Sequence, residues 1–202
     1  MSGSAFAVTH HAFSSGAGRT SDGNGSHAST LKSPSYTKSV SWQHYLENLT
    51  SALSQRLIAD QLRLTTAESC TGGKLASALC AAEDTPKFYG AGFVTFTDQA
   101  KMKILSVSQQ SLERYSAVSE KVAAEMATGA IERADADVSI AITGYGGLEG
   151  GEDGTPAGTV WFAWHHIKGQ TYTAVMHFAG DCETVLALAV RFAHVQLLQL
   201  LL

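Results

Sequence analysis

The chain has 202 residues, 45% of them hydrophobic and 16% charged, with a formal charge of -4 at pH 7; this suits one core rather than two domains, and without a basic block it argues against a nucleic-acid surface. Cys70, Cys80 and Cys182 are an odd number with no C-x-x-C spacing, which argues against a disulfide framework or a cysteine zinc site and fits a reducing cytoplasm. No apolar run reaches the roughly 20 residues that cross a bilayer, and the N-terminus lacks the basic region and apolar core of a secretory signal, so no membrane partner is expected.

Residues 1 to about 40 are rich in Ser, Thr and Gly and carry only Arg19, Asp22, Lys32 and Lys38 as charges. Such a stretch buries too little apolar surface to offset the entropy of ordering, and it reads as a disordered tail or extension ahead of a folded domain at 41–202. Scarcity of Arg argues against a transit segment. Trp42, Tyr45, Leu46, Leu49, Leu53 and Leu57 then recur at helical spacing, predicting an amphipathic helix to about Gln61. Arg63 to Ala67 reads as a short strand, and Gly72-Gly73 followed by Leu75, Ala76, Ala78 and Leu79 reads as a turn opening into a helix.

Asp84-Thr85-Pro86 reads as a loop, and Gly90 to Thr97, with Phe93, Val94 and Phe96, as a buried strand. A short helix follows over about Asp98 to Leu105. Ser119 has the position of an N-cap for a helix to about Ala134, with Glu120 near the positive end of its dipole. Asp137 to Ile142 is the next apolar strand. Six glycines between Gly144 and Gly154 predict a long loop ended by Pro156, and loops of that length are often functional. Gly158 to Ile167 and Gln170 to Phe178 are strand-like runs joined at Lys168-Gly169, a hairpin signal, and Asp181 to Leu202 reads as a closing helix. This order predicts an α/β domain, a three-layer α/β/α sandwich with a mixed sheet.

The junction at Glu68-Ser69-Cys70-Thr71-Gly72-Gly73 is the most informative. A strand that delivers a nucleophile into a Gly-Gly turn at a helix N-terminus sets it beside backbone N–H groups and the positive end of a dipole, where an anion or an oxyanion is stabilised. Cys70 is a candidate, since a thiol there can be acidified, although a small buried hydrophobe is the commoner role. Ser69 needs a base, and Lys101 on the short helix is the nearest candidate with reach.

Thr66-Ala67-Glu68-Ser69-Cys70-Thr71-Gly72-Gly73, Gly92-Phe93-Val94-Thr95-Phe96-Thr97-Asp98-Gln99-Ala100-Lys101, Ala117-Val118-Ser119-Glu120, Ile142-Thr143-Gly144 and Pro156-Ala157-Gly158-Thr159-Val160-Trp161 resemble, in this order, the CinA C-terminal domain, the nicotinamide-nucleotide amidase family. The resemblance runs from about residue 45 to 202. It implies hydrolysis of nicotinamide mononucleotide to nicotinate mononucleotide and ammonia without metal or cofactor, in a fold that often dimerises. It also implies Ser69 as nucleophile and Lys101 as the group that takes its proton, with Glu68, Thr71, Gly72, Gly73, Thr95, Phe96, Thr143 and Gly144 as the substrate-binding set.

Four positions depart from the family pattern: Phe96 stands for a tyrosine, Asp98 for an asparagine, Asp84-Thr85-Pro86 for Gly-Ser-Ser, and Cys182 for an arginine suited to a phosphate. They open a second reading, a homologue that keeps the fold and a nucleotide cleft without amidase activity. A metal site on His165, His166 and His177 is disfavoured because adjacent strand residues face opposite ways. The acidic cluster Glu149, Glu152, Asp153 lacks any bounded ligand spacing and reads as a solvated loop.

Overall fold

A computed structural model describes the backbone of residues 34–166 and 168–202, with side chains from residue 44 onward except residue 167. The first helix, α1 (Pro34–Ala59), starts earlier than its apolar stripe predicts, so residues 34–40 are helical rather than tail. Proline suits a first turn because its missing N–H has no intrahelical partner there. Residues 1–33, the rest of the predicted tail, lie outside the described residues. At the other end of α1, Leu53 and Leu57 are fully buried, each contributing about 1.5–3 kcal/mol by leaving water. Tyr45 remains half exposed and is covered by the Arg191 guanidinium, 4.6 Å from its ring centroid.

The chain continues as β1 (Leu64–Glu68), α2 (Lys74–Cys80), α3 (Thr85–Phe88), β2 (Tyr89–Val94), α4 (Asp98–Leu105), α5 (Gln109–Tyr115), α6 (Glu120–Ala134), β3 (Val138–Gly144), β4 (Thr159–His166), β5 (Gln170–His177) and α7 (Cys182–Leu200). The sheet order is β2-β1-β3-β4-β5; β1 runs parallel to both neighbours, and β3 with β4 and β4 with β5 are antiparallel. The mixed sheet is the predicted one. Two helices differ from expectation. The segment read as a loop at Asp84-Thr85-Pro86 opens the single turn α3, with proline tolerated in its first turn. α5 was not expected, having few apolar residues; it forms behind the cap Ser108, whose side chain accepts from the Ser111 N–H.

Strand alternation divides the core into two layers. Leu64, Val138, Ile140, Ile142, Val160, Phe162 and Trp164 face α1, α2 and α7, while Ala67, Ala141 and Ala163 face α4, α5 and α6. The small residues on the second face let α6 lie close to the sheet, and Gly129 lets it lie close to α4: a Cβ there would stand 1.9 Å from the Leu105 carbonyl oxygen. Phe162 and Trp164 belong to the core, stacked at 5.7 Å and joined edge-on by Phe192. Among the described residues no helix is long and apolar enough to cross a membrane.

Strand order also locates the site. The chain leaves β1 for β2 on one side and returns to β3 on the other, so right-handed crossovers put α2 and α6 on opposite faces. The carboxyl end of β1 is therefore a topological switch point, where an open parallel sheet leaves a crevice for ligands.

Candidate active site

Ser69 follows directly on β1 and is held from both sides of the switch point. Its N–H donates to the Ile142 carbonyl of β3 at 2.9 Å, and the Glu68 carbonyl accepts the Thr95 N–H beyond β2 at 2.8 Å. Gly73 reverses the chain into α2 at φ 95°, in the left-handed region that glycine occupies at little cost. This reversal brings the N-terminus of α2 back over the Glu68 side chain. The carboxylate, fully buried, accepts the N–H groups of Gly73 at 3.1 Å and Leu75 at 3.0 Å on Oε2, and of Ala76 at 2.8 Å on Oε1.

The anion expected at this helix start is thus supplied by the protein itself. Gly72 N–H donates to the Ser69 carbonyl and Lys74 N–H to that of Thr71, so the Gly72-Gly73 turn offers a ligand no free amide. The N–H groups of Cys70 and Thr71, immediately after the nucleophile, make no backbone hydrogen bond among the described residues.

Lys101 enters from the first turn of α4, which Thr97 caps by accepting the Ala100 N–H. Its side chain is 1% exposed. Nζ lies 3.0 Å from Ser69 Oγ, 3.0 Å from the Thr95 carbonyl oxygen and 3.1 Å from that of Phe96. A neutral amine has two N–H bonds and one lone pair. Donated to the two carbonyls, the N–H bonds leave the lone pair directed at the Ser69 hydroxyl. Burial lowers the pKa of Lys101, with the Asp98 carboxylate acting more weakly in the opposite direction, so the environment favours the neutral, basic form.

A pocket of about 380 Å³ opens over the pair, lined by Ser69, Cys70, Phe96, Lys101, Ala117, Val118, Thr143, Gly144, Tyr145, Gly146, Gly147, Glu149 and Cys182. Of the residues expected from sequence, Ser69, Lys101, Phe96, Thr143 and Gly144 meet here. Phe96 stands at the mouth, 72% exposed. The Thr143 hydroxyl donates to the Ala117 carbonyl at 2.8 Å, tying β3 to the segment before α6. Glu68, Thr71, Gly72, Gly73 and Thr95 do not line the pocket, and the buried Thr71 and Thr95 hydroxyls have no partner among the described residues. Pro86 is not at the wall either, whereas Cys182 is. Tyr145 is among the wall residues that sequence reasoning missed, although an aromatic residue directly after Thr143-Gly144, at the entry to the glycine-rich loop, was a signal for it.

Cys70 sits beside the pair but is no rival nucleophile. Burial pushes its thiol up to about 12, outweighing the Cys70 and Thr71 N–H groups and Lys101, which act the other way. The histidines are engaged with neighbours on the hairpin: His165 with Thr171 at 2.6 Å, His177 with Thr159 at 3.0 Å, and His166 with the Lys168 N–H. A larger hollow, about 780 Å³, runs between α1 and α2 and is lined by polar residues such as Glu47, Thr50, Ser54 and Lys74. It contains no paired nucleophile and base, so the chemistry points to the smaller pocket.

A family model described as the CinA C-terminal domain matches residues 46–201. Protein YdeJ of Escherichia coli K12 is 96% identical over 157 residues, which is 78% of this chain and 91% of that protein. Nicotinamide-nucleotide amidohydrolase PncC of the same strain is 38% identical over 148 residues, 73% of this chain and 90% of the relative. Among solved structures, a competence-damaged protein (CinA) superfamily protein from Escherichia coli superposes with a TM-score of 0.75 at 96% identity, covering 77% of this chain and 90% of that one.

Proposed function

The chain belongs to the CinA C-terminal domain family, and from that premise we propose that its pocket hydrolyses the primary carboxamide of a nicotinamide nucleotide, with Ser69 as nucleophile and Lys101 as base. The observation that carries this reading is the buried Lys101 amine, 3.0 Å from Ser69 Oγ with two carbonyls to receive its protons. The related PncC proteins, named as nicotinamide-nucleotide amidohydrolases, supply the substrate class.

In the proposed reaction the Ser69 hydroxyl gives its proton to Lys101 Nζ as Oγ attacks the amide carbon. The tetrahedral oxyanion takes the N–H of Cys70, the pocket residue directly after the nucleophile, whose amide makes no backbone hydrogen bond among the described residues. Lys101 returns the proton to the departing nitrogen, ammonia leaves, and an acyl ester remains on Ser69. Water then attacks the ester while Lys101 again accepts a proton, and collapse frees the carboxylic acid and the serine. Every proton passes through one amine, which must be neutral at the start of each half.

The test is ammonia release from nicotinamide mononucleotide and related pyridine carboxamides by the purified protein, with the Ser69→Ala variant in parallel to exclude a contaminating host amidase. Release abolished by the substitution supports the assignment. No release above that control from any of these amides, by folded protein, favours the second reading, a homologue that retains the fold without the hydrolysis.

A further inference from the structure

The walls of the pocket carry more information than its floor. Around the mouth stand the exposed Phe96 ring, Tyr145 and the Glu149 carboxylate. The Asp153 carboxylate and the Tyr145 hydroxyl flank Gly151 together, and after burial, the first cause, Asp153, Asp98 and Glu152 add in that order to the raised pKa of Tyr145. None of these four acids forms an ion pair among the described residues. The cation that lines the pocket is Lys101, whose amine is already committed to Ser69 and two carbonyls.

An anionic phosphate entering this mouth would meet a carboxylate of its own sign at close range, with no guanidinium or free ammonium among the residues that line the pocket to pair with. A cationic ring gains on both counts, from the carboxylate at the rim and from aromatic faces that attract positive charge. Resting on the amidase reading of the same pocket, we infer that the preferred substrate carries its carboxamide on a cationic, phosphate-free ring: a pyridinium nucleoside rather than its nucleotide. The carboxamide points down to Ser69, the ring lies by Phe96 and Tyr145, and its positive charge faces Glu149.

The experiment compares nicotinamide riboside with nicotinamide mononucleotide, which differ by the phosphate alone. Calorimetric binding to the Ser69→Ala variant is expected to favour the riboside at least tenfold, about 1.4 kcal/mol. Glu149→Gln should narrow that ratio several-fold, and Glu149→Arg should reverse it. Ammonia release by the unaltered protein should show the same order in kcat/KM. Equal or tighter binding of the mononucleotide overturns the inference and leaves the amidase reading standing, as does a ratio indifferent to Glu149→Arg. Binding of neither compound also overturns it. Absence of ammonia from both compounds overturns the amidase reading, and the binding ratio still decides on the ligand class.

Discussion

Glu68→Gln exchanges one carboxylate oxygen for an amide nitrogen and keeps the size of the side chain. The carboxylate accepts two N–H groups on one oxygen and a third, that of Ala76 at 2.8 Å, on the other. The best glutamine orientation keeps its carbonyl on Gly73 and Leu75 and sets its NH2 against the Ala76 N–H, donor facing donor. A lost hydrogen bond to a charged group costs about 1.5–3 kcal/mol, and the two that remain lose their charge assistance. Together these give a destabilisation of about 3–4 kcal/mol, a large part of the roughly 10 kcal/mol typical of a domain this size. Urea unfolding of the ligand-free protein measures it directly. If Glu68 instead served mainly to hold substrate, as the family resemblance implies, stability would be unchanged and KM would rise. A loss below about 0.5 kcal/mol, the range of ordinary surface substitutions, refutes the capping role.

Gly129→Ala places a methyl group 1.9 Å from the Leu105 carbonyl oxygen, a backbone atom that cannot turn aside; overpacking of about 1–3 kcal/mol should appear in urea unfolding, and displaced α4 should lower turnover through Lys101. Alkylation by iodoacetamide at about pH 8 should modify the exposed Cys80 and Cys182 and spare Cys70 until the protein unfolds; mass spectrometry showing Cys70 modified as fast as Cys182 would contradict the raised pKa of its thiol. His194 is buried between α7 and α1, with Nδ1 on the Val190 carbonyl and Nε2 3.3 Å from Thr50 Oγ1. Burial lowers its pKa and the Val190 carbonyl opposes this. Its share of stability is therefore present above the unfolded-state value of about 6.5 and lost as pH falls through the folded one. The wild type should lose more stability than His194→Leu between about pH 7.5 and about pH 5.5, and equal losses would count against this role.

What could be read from sequence was what local chemistry determines. The strand and turn around Ser69, the short helix bearing Lys101 and the Ser119 cap of α6 lie within a residue or two of expectation, because each is specified by neighbours in the chain. α5 escaped notice since a seven-residue helix with one buried leucine has no periodicity to detect. The start of α1 escaped because a Ser- and Lys-rich stretch outweighed a well-placed proline. Glu68 is the instructive case. The family resemblance implies a ligand contact for it, yet the fold turns its side chain back onto the helix that follows, a relation set by the left-handed Gly73 rather than by spacing. The sharing of one pocket by Cys182 and Glu149, from opposite ends of the last third of the chain, depends on the packing of α7 against the glycine-rich loop and has no local signature.

The central claim is that the buried amine of Lys101 takes the proton of Ser69, and its most direct test is the pH dependence of ammonia release by the wild type and Lys101→Met from about pH 6 to about pH 10. Because burial lowers the Lys101 pKa, wild-type kcat/KM should rise as the amine loses its proton and level off below the roughly 10.4 of a free lysine, while Lys101→Met is inactive throughout. A Lys101→Met protein that keeps the wild-type rate and profile would contradict the account.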